Sequence, residues 1–296
     1  MAKKKTSLIS RASWTDALFF FGPLVFFYAV FYLFSTGFLV FTSLQKISIS
    51  LTNGRWTGFK NFELLLTDPR FISALTNNVV FAAVSIVAGL TLGFFIAVAL
   101  SSGVRGKAPL YVVFLLPTLM PLALIASVFR ILLESRFGGL NEALRAIGWD
   151  FLAQSWLIDP TLAYGVVIIL FVYMIGLPVM YYTANLSTIN TSLLEAAILD
   201  GAGTFGLVRE ILFPLMSATH RTIIISTILM SFRAFDIVFF STEGGPAGTT
   251  EITGTYVYRF ATSGTNVGYG SAAALLVMLF ALLIAVVQFF VQRRSR

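Results

Sequence analysis

The sequence predicts an all-α integral membrane protein with six transmembrane helices. Of its 296 residues, 57% are hydrophobic and only 11% are charged, and the mean hydropathy is +0.89. Soluble domains have roughly a quarter of their residues charged, so this chain lacks the polar surface that a water-soluble fold needs. A helix needs about 20 apolar residues to cross the hydrocarbon core, and the apolar runs provide room for six.

The six predicted spans follow the apolar runs, each bounded by polar or basic segments. They are 17–44, 78–100, 110–132, 162–186, 222–240 and 270–291. The first run is too long for a signal-peptide core and lacks a small-residue cleavage site after it, so we expect it to remain as a span. The spans form one transmembrane domain, 17–291, between an N-terminal segment, 1–16, and a C-terminal segment, 292–296.

Proline, glycine and small residues predict how three of the spans bend and pack. Pro117 and Pro121 predict kinks in the third span, and the fourth should break near Gly176 and Pro178, because proline and glycine interrupt helices in ways that neighbouring helices must accommodate. Small residues at every fourth position of the second span allow another helix to approach closely; they are Ser85, Gly89, Gly93 and Ala97.

The basic residues lie at the span ends and predict the orientation. Six spans place both termini on one face, and the segments on that face hold eleven basic residues against seven in the longer loops opposite. The eleven are Lys3, Lys4, Lys5, Arg11, Arg105, Lys107, Arg209, Arg221, Arg293, Arg294 and Arg296. The positive-inside rule therefore predicts cytoplasmic termini and a cytoplasmic segment 192–214. The net charge of +7 thus indicates topology and lipid contact, with no nucleic-acid partner.

We name residues 192–214 the Glu195 loop; it is the one long segment of mixed polarity on the basic side. Ser192 and Glu195 have the spacing of a capping box, in which both side chains satisfy free backbone N–H groups. A short apolar helix follows, and Gly201 and Gly203 are predicted to stop it.

The second half of the Glu195 loop predicts another helix, capped by Thr204 and ended by Pro214. Its apolar face would consist of Phe205, Val208, Ile211 and Leu212. A helix–turn–helix with small residues at its turn suggests a docking element, because small side chains permit close approach by another surface. An ordinary amphipathic re-entry loop is the alternative.

The motif in this loop resembles the "EAA" cytoplasmic loop of ATP-binding-cassette (ABC) importer permeases. It consists of Glu195-Ala196-Ala197, then Gly201, then Ile211-Leu212-Phe213-Pro214; the family pattern ends Ile-x-Leu-Pro, so Phe213 departs at one apolar position. The resemblance implies a coupling helix that lies in a cleft of the ATPase subunit. The coupling residues it implies are Glu195, Ala196, Ala197, Asp200, Gly201, Ala202, Gly203, Ile211 and Pro214.

Other segments resemble the carbohydrate, maltose-type group of these permeases. They are Gly58 to Phe62, Asp68 to Phe71, Gly138 to Asn141, Ser231 to Asp236, and Gly244-Gly245-Pro246 followed by Thr249-Thr250-Glu251. The resemblance implies a second, different permease subunit, two ATPase subunits carrying ATP and Mg, an extracytoplasmic binding protein, and a location in the cell membrane. The chain has no G-x-x-x-x-G-K-[ST] motif, so we expect it to bind no cofactor itself.

Two ionisable residues within the fifth predicted span are candidates for the substrate path. Arg233 and Asp236 have the i,i+3 spacing that allows a pair on one helix face, and burying charge in a membrane is costly. They could bind sugar hydroxyls or form a structural ion pair. On the fourth span Tyr173, Met174 and Leu177 share a face beside the predicted break; the resemblance to maltose-type permeases makes them further candidates.

Other functions remain as alternatives. A permease for glycerol phosphate or a polyamine would carry the same loop. An ion-driven secondary transporter needs titratable groups at mid-membrane, and only Asp236 with Arg233 is available. An enzyme would need paired carboxylates or metal ligands on the span faces, and we identify no catalytic or metal-binding residue. His220 stands alone beside Arg221, for which we expect a surface role.

Overall fold

The computed structural model describes residues 14–50, 54–102, 106–263 and 266–294. The predicted N-terminal segment up to residue 13, Arg105 and the last two residues lie outside this part of the chain. The described residues are mostly helical, with one short antiparallel hairpin of strands β1 (Gln45–Lys46) and β2 (Arg55–Trp56). The chain forms two compact units, one of residues 1–65 and 260–275 and one of residues 66–259 and 276–296.

The α-helices in chain order are α1 (Trp14–Tyr28), α2 (Ser35–Ser43), α3 (Lys60–Thr67), α4 (Pro69–Ala88), α5 (Phe94–Ser101), α6 (Lys107–Leu119), α7 (Leu122–Leu132), α8 (Gly139–Ala146), α9 (Pro160–Tyr173), α10 (Gly176–Leu186), α11 (Thr191–Leu199), α12 (Thr204–Gly206), α13 (Phe213–Leu215), α14 (Ser217–Arg233), α15 (Phe235–Ser241), α16 (Thr253–Thr262) and α17 (Val267–Arg294). Wider π-helical turns occupy Ala29–Phe34, Gly89–Gly93 and Leu207–Leu212, and a 3₁₀ turn occupies Asp150–Leu152.

In the described part of the chain, four helical stretches are long and apolar enough to cross a membrane: Leu18–Ser43, Pro69–Ser101, Pro160–Leu186 and Val267–Val287. Two further pairs of helices are bent, α6 with α7 by 99° and Thr204–Leu215 with α14 by 66°. The total is six if each bent pair is one crossing. The third predicted span is therefore broken at Pro121, as predicted, whereas α6 continues through Pro117 to Leu119. The fourth is interrupted at Met174 and Ile175.

Two predicted span boundaries differ from the structure. The second span begins at Pro69, nine residues before the predicted start at residue 78. Asp68 caps it by accepting a hydrogen bond from the Arg70 backbone N–H at 2.8 Å, and proline suits the first helical turn because its missing N–H is not needed there. The fifth predicted span, 222–240, is divided at Ala234 between α14 and α15.

In the first unit, the start of α17 packs against the residues that join α2 to β1. The Val267 backbone N–H donates to the Ile47 carbonyl at 2.8 Å, and the Thr42 hydroxyl donates to the Ser271 hydroxyl at 2.9 Å. A Cβ at Gly268 would lie 1.8 Å from the Gln45 carbonyl oxygen. Only glycine at position 268 allows the start of α17 to lie this close to the Gln45 backbone.

Among the described residues of the second unit, two apolar clusters lie one at each end of its helices. The first centres on Phe81, Val167, Leu170 and Val238, all nearly fully buried. The second, which we call the anchor cluster, consists of Phe94, Ala97, Tyr182, Leu212, Met216 and Ile223.

Small residues allow the helices of the second unit to approach closely. A Cβ on Gly93 would lie 2.9 Å from Pro178 Cβ, and one on Gly176 would lie 2.3 Å from the Phe114 carbonyl oxygen. The small residues of the second span thus have the packing role that their spacing predicts.

Candidate functional site

The first helix of the Glu195 loop is α11, and its cap differs from the prediction. The Asn190 side-chain oxygen accepts a hydrogen bond from the Ser192 backbone N–H at 3.1 Å, so Asn190 is the N-cap and Ser192 lies inside the helix. Asparagine is among the strongest N-cap residues. The helix therefore starts before the predicted capping box, which does not form.

α11 ends at Gly201, as the sequence predicts. Gly201 has φ +88°, which glycine adopts without the steric cost that other residues pay. Its N–H donates to the Ile198 carbonyl at 3.0 Å, and the Ala202 N–H donates to the Ala197 carbonyl at 2.9 Å. These hydrogen bonds satisfy carbonyls that a helix end otherwise leaves free. Asp200 is the C-cap residue.

One side of α11 is exposed although much of it is apolar. Leu193, Ile198 and Leu199 are 47%, 58% and 87% exposed, and Glu195 and Ala196 are exposed beside them. Leu194 points the other way and packs against the anchor cluster. The helix is therefore held on one side and presents a mixed acidic and apolar surface on the other.

The second helix of the loop differs from the prediction at both ends. Gly203 occupies the N-cap position, so Thr204 is the first helical residue of α12 and its side chain makes no cap. Pro214 does not end the helix, which continues to Leu215 and bends at Met216. The π-helical turn Leu207–Leu212 directly before Pro214 widens the backbone, which accommodates a ring that would clash with the preceding turn of an α-helix.

The predicted apolar face of this second helix is only partly buried. Leu212 is buried in the anchor cluster and Val208 packs against it, but Phe205 is 70% exposed. Ile211 is half-buried. Arg209 and Glu210 are exposed, as expected.

His220 lies within the anchor cluster and does not have the predicted surface role. Its Nδ1 is 2.6 Å from the Tyr182 hydroxyl and its Nε2 is 2.8 Å from the Phe213 carbonyl oxygen. Its ring is 4.3 Å from the Phe213 ring, centroid to centroid. Local sequence shows only a lone histidine at a span end, because both partners lie on other segments.

A small cavity of about 50 Å³ lies between the helices of the second unit. Met174 and Leu177 line it, as do the hydroxyl-bearing residues Ser85, Thr227 and Ser231. The Ser85 hydroxyl is buried and has no hydrogen-bond partner among the described residues. Sequence reasoning missed these three residues as path candidates; the available signal was hydroxyl groups within apolar spans.

The other substrate-path candidates are not at this cavity. Tyr173 is partly exposed and contacts the Phe129 ring at 5.6 Å. Arg233 is exposed at the end of α14 and Asp236 is half-buried at the start of α15. The helix breaks at Ala234 between them, so their i,i+3 spacing does not put them on one helix face. Within the described part of the chain no ion pair joins them, so of the two alternatives the structural ion pair does not form here.

At the opposite end of the second unit, polar side chains hold the loop after α15. Asn78 donates to the Ser231 carbonyl at 2.8 Å, and its side-chain oxygen accepts from the Thr253 N–H and hydroxyl, each at 2.8 Å. Asn77 donates to the carbonyls of Thr249 and Glu251, both at 2.8 Å. We call Asn77, Asn78, Ser231, Glu251 and Thr253, with their neighbours, the Glu251 cluster.

Glu251 is a nearly buried carboxyl group with two cationic neighbours. Its side chain is 2% exposed and forms ion pairs with Arg259 and, at 3.8 Å, with Arg70. Burial raises the pKa of Glu251 above its ordinary value, Arg259 and Arg70 oppose that rise, and Asp68 adds to it. In the described residues no group of His, Cys, Asp and Glu is arranged to hold a metal ion.

Together the apolar helices and the exposed helical loop define an all-helical protein with several stretches that can cross a membrane. The chain belongs to the family of binding-protein-dependent transport system inner membrane components, which it matches over residues 89–296. It is thus a membrane-spanning permease of the ABC transporter class and not an enzyme.

Relatives and solved structures agree with this family. A probable ABC transporter permease protein of Bacillus subtilis is 33% identical over 252 residues, which are 84% of this chain and 86% of the relative. The diacetylchitobiose uptake system permease protein of Streptomyces coelicolor is 30% identical over 83% of this chain and 76% of its own length. A bacterial ABC transporter that imports the acidic polysaccharide alginate has a chain of the same fold, with TM-score 0.80, 20% identity and 97% of each chain covered.

Proposed function

We propose that this chain is the permease subunit of an ABC importer that moves a sugar or oligosaccharide across the cell membrane. Two separate ATPase subunits bind ATP and Mg, a second permease chain completes the path, and an extracytoplasmic binding protein delivers the substrate. The diacetylchitobiose relative and the family match support this assignment. A solved alginate ABC transporter in complex with a periplasmic protein that is bound to an alginate pentasaccharide has a chain of this fold.

The geometry of the Glu195 loop is the observation on which the proposal rests most. α11 has one anchored side and one exposed side, and Gly201 turns the chain sharply after it. In the proposed arrangement the exposed side lies in a cleft of the ATPase, with Glu195, Ala196 and Ala197 in contact and Asp200, Gly201, Ala202 and Gly203 forming the turn. Ile211 and Pro214 begin the return to the membrane.

Six crossings and cytoplasmic termini are the proposed topology. The bent pair α6 and α7 provides one crossing and α14 provides another, while Thr204–Leu215, the helical stretch bent against α14, is the second half of the Glu195 loop. The permease alternates between inward-facing and outward-facing states as the ATPase dimer closes and opens. A ligand shifts such an equilibrium only through its different affinity for the two states, so we expect the transported substrate to bind the path weakly.

The cavity favours an uncharged solute over a phosphate ester or a polyamine. Its lining includes Ser85, Thr227 and Ser231 but none of the charged residues Arg233 and Asp236. Hydroxyl groups can exchange hydrogen bonds with a sugar without burying charge. We propose that Met174 and Leu177 line the substrate path at this cavity. Tyr173, Arg233 and Asp236 lie away from the cavity, and we propose that they contribute to the path where they face the second permease chain.

The test uses Gly201→Asp in the complete transporter, with Gly206→Asp as the matched control. Both variants add one negative charge to the same loop, but Gly201 needs φ +88° while Gly206 has helical φ −60° and open space around its Cβ. We expect Gly201→Asp to insert normally and to lose about tenfold or more in ATP-driven uptake, because a displaced turn and a charge in the docking surface each cost free energy.

Uptake of radiolabelled substrate in proteoliposomes measures this effect, with membrane insertion checked by immunoblot. Gly206→Asp should stay within about twofold of wild type, as surface substitutions usually do. Equal uptake by both variants and wild type would count against a coupling role for the loop.

A further inference from the structure

We propose that His220 is a positioning residue that ties the exit of the Glu195 loop to the two spans on either side of it. This inference rests on the proposed coupling role of the loop and identifies how its movement would reach the spans. The residue touches neither substrate nor nucleotide, so its effect would be on the efficiency of coupling.

His220 joins three separate segments of the second unit. It lies in the second turn of α14, its Nδ1 contacts Tyr182 near the end of α10, and its Nε2 contacts the backbone of Phe213 in α13. α10 is the helix that enters the Glu195 loop, and α13 is the last helix of that loop. One imidazole ring therefore connects the entering span, the loop exit and the following span.

The chemistry of the partners fixes the direction of both hydrogen bonds. The Phe213 carbonyl oxygen can only accept, so His220 Nε2 carries the proton and donates. In a neutral ring Nδ1 then has no proton and accepts from the Tyr182 hydroxyl. A single tautomer satisfies both contacts, and a carbonyl beside Pro214 gains a donor where the helix bends.

A second interhelical hydrogen bond lies next to the first. Asn185 donates to the Thr219 hydroxyl at 2.6 Å, so neighbouring residues on α14 both bond to residues near the end of α10. Thr219 is buried, and Tyr182 is completely buried against Phe94, with ring centroids 5.3 Å apart. The Tyr182–His220 and Asn185–Thr219 hydrogen bonds are part-buried, and breaking them would leave polar groups partly shielded from water, so these helix ends are expected to move together.

Apolar contacts bring α11 into the same assembly. Leu194, on the side of α11 opposite its exposed face, packs against the anchor cluster that contains Tyr182. If a bound partner displaced α11, Leu194 would therefore push against the anchor cluster at the start of the Glu195 loop. His220 connects the same cluster to the end of that loop. Leu194 and His220 thus join the two ends of the Glu195 loop to the same group of side chains.

The test measures transported substrate per ATP hydrolysed in the reconstituted complete transporter. The variants are His220→Leu, which removes both hydrogen bonds, and His220→Gln, whose amide can donate to the Phe213 carbonyl and accept from Tyr182. We expect His220→Leu to lower substrate per ATP about fivefold, the equivalent of two hydrogen bonds at the weak end of their usual range, and His220→Gln to restore most of it.

Tyr182→Phe provides a variant that keeps the ring packing and removes only the hydroxyl. It should lower substrate per ATP in the same direction while the ATPase subunits still co-purify in wild-type amount. If His220→Leu fails to assemble, Tyr182→Phe alone decides the question, and an unchanged ratio in it overturns the proposal. Failure of His220→Gln to recover any coupling, with assembly intact, also overturns it.

Gly201→Asp in the same assay separates this inference from the proposed function. Loss of coupling in Gly201→Asp with normal coupling in the His220 and Tyr182 variants would refute only the positioning role. Normal coupling in all of them would refute the coupling role of the loop itself.

Discussion

The Glu251 cluster and the Glu195 loop lie between spans and each contains a glutamate, but they use their polar residues in opposite ways. The Glu251 side chain is 2% exposed and has two arginine partners, whereas Glu195 is exposed on the free side of α11. Asn78 is fully buried and bonds to two distant segments, whereas Asn190 is exposed and caps its own helix.

This difference indicates which region is fixed and which is free to bind. In the Glu251 cluster, side chains of α4 satisfy backbone groups of residues more than 150 positions away, so the loop cannot leave without exposing buried polar groups. The Glu195 loop satisfies its own backbone locally and leaves apolar side chains uncovered. A docking surface needs the second arrangement, since the partner supplies the missing contacts.

The largest effect is expected from Asn78→Ala in the Glu251 cluster. The substitution removes three hydrogen bonds and leaves the buried Thr253 N–H and hydroxyl without their acceptor, whereas the Ser231 carbonyl keeps the Ala234 N–H at 3.3 Å. Unsatisfied buried groups cost about 1–3 kcal/mol each, so we expect a loss of about 3 kcal/mol or more. Thermal unfolding of the detergent-purified chain measures it.

Thr76→Ala is the matched control, because Thr76 is exposed on the same helix and bonds only to the Ile72 carbonyl one turn away. It should change stability by less than about 0.5 kcal/mol. Equal losses from the two substitutions would show that the Glu251 cluster does not hold its loop.

A change of pH is expected to have an intermediate effect on the stability of the fold, through protonation of Glu251. Because burial raises the pKa of the folded-state carboxyl above its unfolded value of 4.5, protonation stabilises the fold. This contribution is complete below pH 4.5 and is lost as the pH rises through the raised pKa. The stability of wild type relative to Glu251→Gln should therefore fall as pH rises.

Thermal unfolding of both proteins between about pH 4 and pH 8 gives this comparison. Glu63→Gln serves as the control, because it also removes one carboxyl group and Glu63 is exposed on α3. If the stability of wild type relative to Glu251→Gln stays constant or increases as the pH rises, the raised pKa assigned to Glu251 is contradicted.

The smallest effect distinguishes the observed cap of α11 from the predicted one. Asn190→Ala should destabilise the helix by about 1 kcal/mol, because it removes the N-cap hydrogen bond, whereas Ser192→Ala should change it by only a few tenths. The rate of hydrogen exchange of the α11 backbone amides measures how much each substitution destabilises the helix. Faster exchange in Ser192→Ala than in Asn190→Ala would support the capping box instead.

Local rules predicted the features that depend on neighbouring residues. The apolar runs gave the helical class, Pro121 and Gly176 gave helix breaks, and Gly201 gave the end of α11. Each depends on backbone chemistry within one or two turns.

The features that sequence reasoning missed depend on residues far apart in the chain. Asn77 and Asn78 bond to residues 249–253, which no local pattern shows, whereas the early start of α4 follows the local Asp68-Pro69 signal that the predicted span overlooked. His220 is packed within the protein because Tyr182 and Phe213 meet it across helices. For Arg233 and Asp236 the sequence left a structural ion pair and a substrate-path role open, and the helix break at Ala234 removes the shared helix face that the ion pair requires.

The most direct test of the account asks which side of the membrane Ala196 faces and whether the ATPase covers it. The chain has no cysteine, so Ala196→Cys and, as control, Phe137→Cys each provide a single thiol at an exposed position. A membrane-impermeant maleimide is applied to sealed right-side-out vesicles and to opened membranes, with and without the ATPase subunits.

The account predicts that Phe137→Cys is labelled in sealed vesicles, and that Ala196→Cys is labelled only in opened membranes and is protected when the ATPase subunits are present. Labelling of Ala196→Cys in sealed vesicles, or equal labelling with and without the ATPase, would contradict a cytoplasmic coupling role for the Glu195 loop.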